Sequence, residues 1–80
     1  MNPYNVYIRP YPHRETCHKV GQVRAATFRK AVDAAIEQKL CSPLLSAHPN
    51  YECRGLRKYM LEHQTGEPCE VIIHRVPVLA

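Results

Sequence analysis

The feature that most constrains the fold of this chain is a run of apolar residues with helical spacing between positions 28 and 40. After Phe28, apolar side chains recur three, four, seven, eight and twelve residues later: Ala31, Val32, Ala35, Ile36 and Leu40. Thr27, immediately before the run, is a good N-cap, and Cys41-Ser42-Pro43 ends the pattern. The run therefore predicts one long amphipathic α-helix over residues 27–40, which must bury its apolar side against other elements.

Three segments have the character of β-strands. Residues 4–9 alternate between two faces, as a half-buried strand does, with Tyr4, Val6 and Ile8 on one face and Asn5, Tyr7 and Arg9 on the other. Residues 20–26 are a second candidate, interrupted by Gly21, and we expect them to pair antiparallel with the first strand. Residues 69–78 are the most β-prone and apolar on both faces, which predicts a strand covered by its neighbours.

A second, shorter helix is predicted over residues 54–63. Leu56, Tyr59, Met60 and His63 share one helical face there, and Gly66 follows as a stop. A brief strand at residues 51–53 is the alternative just before it. The sequence thus predicts an α+β fold: a three-stranded, mainly antiparallel sheet packed on one long helix, with a second short helix, in a single domain of residues 1–80.

Composition places the chain among folded, soluble proteins. Its 80 residues are 45% hydrophobic and 22% charged, far from the composition of disordered chains. There is no run of roughly 20 apolar residues that would span a bilayer, and Met1-Asn2-Pro3-Tyr4 does not resemble the start of a signal peptide. We therefore expect a cytoplasmic protein that does not contact membranes and whose four cysteines are reduced thiols.

The cysteines and histidines do not have the spacing of a metal site. Structural zinc sites bring their ligands as close pairs, whereas Cys17 and His18 are adjacent and the other cysteines stand alone. A site assembled from distant residues stays open as an alternative: His13, Cys17, Cys53 and Cys69. The simpler interpretation is that Cys41 and Cys69 are small buried apolar residues.

Catalysis is not favoured either. Cys17 and His18 are the residue types of a nucleophile and its base, but neighbours on a strand point to opposite faces. Gly21, Gly55 and Gly66 are isolated, so they form no phosphate-binding loop. We predict that the chain is not an enzyme and uses no cofactor.

Binding is the remaining class of function. On the predicted second helix, Arg54, Arg57 and Lys58 would form one basic ridge, and we expect it to bind the partner. Arg24 and Tyr7, on the outward side of the sheet, are further candidates. The net charge of +4 favours an acidic partner. We expect a larger protein or ribonucleoprotein complex that the chain blocks sterically, and a small basic module that binds nucleic acid is the alternative. An exposed edge strand could also pair two copies into a homodimer.

One resemblance bears on the partner. Val23-Arg24-Ala25-Ala26-Thr27 leads from a strand into the alanine-rich helix 28–40, and a strand over residues 70–78 closes the chain. This layout resembles small phage accessory proteins, among them anti-CRISPR proteins. The resemblance implies a viral inhibitor that acts in the host bacterial cytoplasm and blocks a defence complex by steric protein binding. Because the chain is basic, imitation of DNA is not expected.

Overall fold

A computed structural model describes four segments of the chain: residues 1–10, 17–46, 48–62 and 68–77. In them five strands and one helix follow the order ββαβββ: β1 Asn2–Pro10, β2 His18–Ala25, α1 Phe28–Glu37, β3 Tyr51–Cys53, β4 Leu56–Glu62 and β5 Pro68–Arg75. The strands form one sheet in the order β2-β1-β5-β4-β3, and all neighbours pair antiparallel. The last strand in the sequence therefore lies at the centre of the sheet.

The predicted three-stranded sheet with a second short helix is wrong. Residues 54–62 do not form that helix but belong to a hairpin in which Arg54 and Gly55 join β3 to β4, and His63 lies outside the described residues. Gly55 has a φ of 81°, a left-handed conformation that glycine adopts without steric cost. The helical spacing was outweighed by strand pairing, since β4 bonds to the strongly β-prone β5 along its whole length. The alternative of a brief strand at Tyr51–Cys53 is confirmed.

The helix itself is confirmed, although it is shorter than predicted. Thr27 caps its start, where its hydroxyl oxygen accepts a hydrogen bond from the Lys30 amide at 3.2 Å. At the other end the Lys39 amide donates to the Ile36 carbonyl and the Leu40 amide to the Ala35 carbonyl, at 3.0 and 2.8 Å. These two bonds are those of a Schellman motif, which ends the helix before Leu40.

No helix in the described segments is long and apolar enough to cross a membrane.

The core lies between α1 and one face of the sheet. The helix buries Ala31, Val32 and Ala35, whose small side chains let it approach the strands closely. The sheet contributes alternate residues of four strands: Tyr4, Val6, Val23, Ala25, Tyr59, Leu61, Cys69, Val71 and Ile73. A Cβ on Gly21 would come within 2.8 Å of a Leu40 methyl group, so the missing side chain leaves room for Leu40 against the sheet. The opposite face of the sheet has no helix over it in the described part of the chain.

We predict that Lys39→Gly stabilises the protein. Lys39 has a φ of 60°, where its Cβ is crowded by the backbone, and glycine is the usual residue at this position of a Schellman motif. The free energy of unfolding, measured by urea denaturation, should rise by about 1 kcal/mol. Lys39→Ala is the matched control: it removes the same charged side chain but keeps the Cβ, and it should give no comparable gain.

Candidate functional site: the open face of the sheet

A row of side chains crosses all five strands on the face that α1 leaves uncovered. The strand registers place five residues side by side, and we call them the central row: Lys19, Tyr7, Ile72, Lys58 and Tyr51. Neighbouring strands are about 4.8 Å apart, so the row extends about 19 Å. The Lys58 ammonium lies 4.9 Å from the centre of the Tyr51 ring, a cation–π contact. Two tyrosines and two lysines thus flank a central isoleucine.

A groove of about 370 Å³ lies over the middle of this row. Its floor is apolar: Ile72 is only 6% exposed, and Leu56 lies on the same face in the next cross-strand row. Around this floor lie the ring of Tyr7, the guanidinium of Arg9, the ammonium of Lys58 and the imidazole of His74. The groove therefore combines an apolar floor with a cationic rim.

The one buried charged residue in the described segments, Glu70, belongs to the same face. Its carboxylate accepts hydrogen bonds from both Nε and Nη2 of Arg9, the former at 3.0 Å, and from the Asn50 amide at 3.2 Å. Burial by itself would raise the pKa of Glu70. The bonds from Arg9 and Asn50, together with the charges of Arg9 and Lys58, outweigh that effect and lower its pKa below the ordinary value. Glu70 thus stays ionised, and Arg9 balances its charge.

The other acidic side chains that the structure describes lie away from the open face. Asp33 is on α1, 3.6 Å from Arg29, and Glu37 is exposed at the end of the same helix. Glu52 alternates with Tyr51 on β3 and so faces the helix side. The open face also carries Arg24, which is exposed. Among described side chains, this face is therefore cationic.

The predicted basic ridge is not formed. Arg54 lies in the hairpin turn, while Arg57 and Lys58 are neighbours on β4 and point to opposite faces. The structure places Lys58, Tyr7 and Arg24 on the open face, so these three of the five candidate residues share one surface. Arg54 and Arg57 are separated from them.

Arg57 is held by contacts within the protein. Its guanidinium lies 4.4 Å from the centre of the Phe28 ring on α1. Its Nη1 donates to the carbonyls of Cys53 and Leu56 at 2.7 and 2.9 Å, and its Nε is 3.8 Å from the Glu52 carboxylate. Arg57 therefore ties the β3–β4 hairpin to the start of the helix, which is a structural role.

Sequence reasoning missed several residues of the site. Ile72 and His74 were not candidates, because their proximity to Tyr7 depends on the order of the strands. The position of Arg9 could have been predicted, because the alternation of β1 places it on the same face as Tyr7. The same alternation in residues 56–60 would have separated Arg57 from Lys58.

The cysteines are unbridged and do not converge. Cys41 and Cys69 line a cavity of about 250 Å³ between the end of α1 and the sheet. Burial, with a smaller effect of Cys69, raises the pKa of the Cys41 thiol to about 11, and burial also raises the pKa of Cys69. Both thiols are thus protonated at neutral pH, the form that neither attacks substrates nor binds metals.

The alternative metal site is not assembled among the described residues. Cys69 is in the helix-facing core, Cys53 is exposed at the hairpin, and Cys17 borders the groove on the open face. His13, its fourth member, lies outside the described residues. Within the segments described, no three His, Cys, Asp or Glu side chains are placed to hold one metal ion.

Arg57→Ala should destabilise the protein, whereas Arg54→Ala should not. The first change removes a cation–π contact and two hydrogen bonds from a charged group, so we expect a loss of about 2 kcal/mol. Arg54 is exposed, and its truncation should change the free energy of unfolding by less than about 0.5 kcal/mol. Urea denaturation compares the two. Equal losses would contradict the structural role of Arg57.

Glu70→Gln should lower the free energy of unfolding at neutral pH and make that free energy depend less on pH in the acid range. The folded-state pKa of Glu70 lies below its ordinary 4.5, so its ionised form adds stability above that pH. This contribution is lost as the pH falls through the lower, folded-state pKa. At pH 7 we expect the variant to lose about 1–3 kcal/mol.

The pH dependence of that loss is the discriminating measurement. Unfolding followed at several pH values should show that Glu70→Gln and the wild type converge as the pH falls below 4.5. Glu37→Gln, at an exposed helix position, is the control and should follow the wild type within about 0.5 kcal/mol. A constant difference between Glu70→Gln and wild type at all pH values would contradict the assigned charge state.

Comparisons of the chain with protein-family models, with curated proteins and with solved structures found no match. The resemblance to small phage accessory proteins therefore stays a prediction. What the site can bind has to be understood from its own geometry and charge.

Proposed function

We propose that this chain is a small non-catalytic protein that binds nucleic acid on the open face of its sheet. The observation that carries the proposal is the central row, in which Lys19 and Lys58 lie beside Tyr7 and Tyr51 on one surface. Lysines neutralise phosphates and release counterions, and tyrosine rings are surfaces on which bases stack. The cytoplasm is the compartment that this function implies.

The distribution of charge supports the same proposal. Arg24 adds a further exposed cation to the open face, and the carboxylate of Glu70 is buried and balanced by Arg9. A polyanion therefore meets no bare carboxylate among the described side chains of this face. On the opposite side of the sheet α1 carries Arg29 and Lys30 against Asp33 and Glu37, so the helix offers no net positive charge to a polyanion.

A second candidate is steric inhibition of a bacterial defence complex of the CRISPR-Cas type, as the sequence resemblance implies. Two large apolar side chains support a protein partner: Leu45 is 59% exposed and Tyr51 is 49% exposed. Both lie on segments bonded to β4, because the Leu45 amide donates to the Met60 carbonyl and β3 pairs with β4. Tyrosine is among the residue types that most often anchor protein interfaces, and an exposed leucine beside it adds apolar area.

Charge reversal on the open face tests the first candidate. We expect Lys58→Glu and Arg24→Glu each to weaken binding of a labelled oligonucleotide, measured by fluorescence anisotropy over a range of salt. The slope of log affinity against log salt should become shallower by about 0.7–0.9 for each phosphate contact that is lost. Lys30→Glu makes the same charge change on an exposed position of α1 and is the control.

Three outcomes would contradict this proposal. If the wild-type chain shows no salt-dependent affinity for nucleic acid, the proposed function is wrong. If it instead inhibits a purified CRISPR-Cas nuclease without binding its nucleic acid, the second candidate replaces the first. Equal losses for Lys58→Glu and Lys30→Glu would show that net charge acts, and not the open face.

A further inference from the structure

We infer that the groove at the centre of the open face holds one unstacked base, so that the protein selects single-stranded over double-stranded nucleic acid. This inference rests on the proposed function and adds to it the form of the ligand. It depends on how the side chains around Ile72 are arranged.

The groove has the lining and the volume to receive one base. Ile72 lies between two longer side chains, Tyr7 and Lys58, which are its direct cross-strand neighbours on either side. Its 6% exposure places it at the bottom. In the next cross-strand row Leu56 lies beside His74 and extends the floor. The volume of about 370 Å³ is at the small end of the range for ligand sites, which suits a single nucleotide.

The chemistry of the groove matches an aromatic ring attached to phosphate. A base can stack on Tyr7 and cover the apolar floor, while its phosphate reaches the ammonium group of Lys58 on the rim. The bases of a duplex are already stacked on one another, so a duplex would offer only phosphates and leave the floor uncovered. The carboxylates of an acidic protein surface would likewise contact only the cations and leave the apolar floor uncovered. The apolar floor therefore favours a single strand.

The central row also sets the direction and length of the bound strand. Tyr51 lies three strands from Tyr7, about 14 Å across the sheet, and offers a second ring for stacking. Lys19 lies beyond Tyr7 on the edge strand β2. A nucleic acid following the row crosses the β-strands and covers roughly four nucleotides or more. The groove receives the base in the middle of that path.

The test compares single-stranded DNA of about a dozen nucleotides with the same sequence as a duplex. By fluorescence anisotropy, wild-type protein should bind the single strand more tightly. Tyr7→Ala should weaken single-strand binding roughly 5- to 150-fold, the range measured for loss of one base–aromatic stack, and should leave duplex binding within about twofold. Tyr7→Phe keeps the ring and should bind as wild type does. Thermal unfolding of each variant shows that it is folded.

A second measurement reports on the groove floor directly. The methyl groups of Ile72 should shift in NMR spectra when the single strand is added to wild-type protein, because a base above them exerts a ring-current effect. The methyl groups of Val32, which α1 buries against the other face of the sheet, are the internal control and should not shift. This readout needs no variant, so it remains valid if Tyr7→Ala does not fold.

The outcomes separate this inference from the proposed function. If single strand and duplex bind equally, with Tyr7→Ala without effect and Ile72 unshifted, binding is through phosphates alone: the inference is overturned and the proposed function stands. If neither nucleic acid binds, both are wrong. If an acidic peptide containing phenylalanine shifts Ile72 and the oligonucleotide does not, the groove is a peptide site and the inference is again overturned.

Discussion

The pairing of β5 on both of its edges is the constraint on which the rest of the structure depends. β5 bonds to β1 on one side and to β4 on the other, which joins the two hairpins of the chain into one sheet. Its helix-facing residues, Val71 and Ile73, are completely buried in the core. Ile72, between them, forms the groove floor on the other face. One short apolar segment thus organises both the core and the candidate site.

The second constraint is that the chain supplies one helix for a sheet with two faces. α1 is ten residues long and carries a single apolar stripe, so it covers one face. In the described part of the chain the other face meets solvent, and its side chains have to be compatible with water. The Arg9–Glu70 pair and the cations of the central row provide that compatibility. The open face is therefore the surface to which we assign the proposed binding, and its positive charge favours a polyanion.

Local patterns predicted part of this fold and non-local pairing decided the rest. Three features depend only on residues close in the sequence, and each was predicted correctly: the alternation of β1, the cap at Thr27 and the apolar stripe of α1. In β4 both faces carry apolar side chains, with Leu56 and Met60 on one and Tyr59 and Leu61 on the other. That pattern fits a helix as well as a strand, and the choice depends on β5, which lies later in the chain.

The candidate site was predictable to the same extent. Tyr7 and Arg24 could be assigned to the outward face from the alternation of their own strands. The groove could not, because Tyr7, Ile72 and Lys58 become neighbours only through the registers of three strands. The predicted ridge failed for a related reason: a helix would have united Arg57 and Lys58, whereas a strand divides them between the core side and the open face.

Register consequently decides which side chains enter the core and which lie on the open face. Between Val6 and Tyr7 the pairing of β1 with β2 shifts, so that Val6 faces Gly21 and Tyr7 faces Lys19, with Val20 as the extra residue of a β-bulge. Without the bulge, Tyr7 would lie beside Val20, and Lys19 would point toward the helix side. The bulge thus places a cation at the end of the central row. A single inserted residue on an edge strand extends the cationic surface while the core positions on either side keep their places.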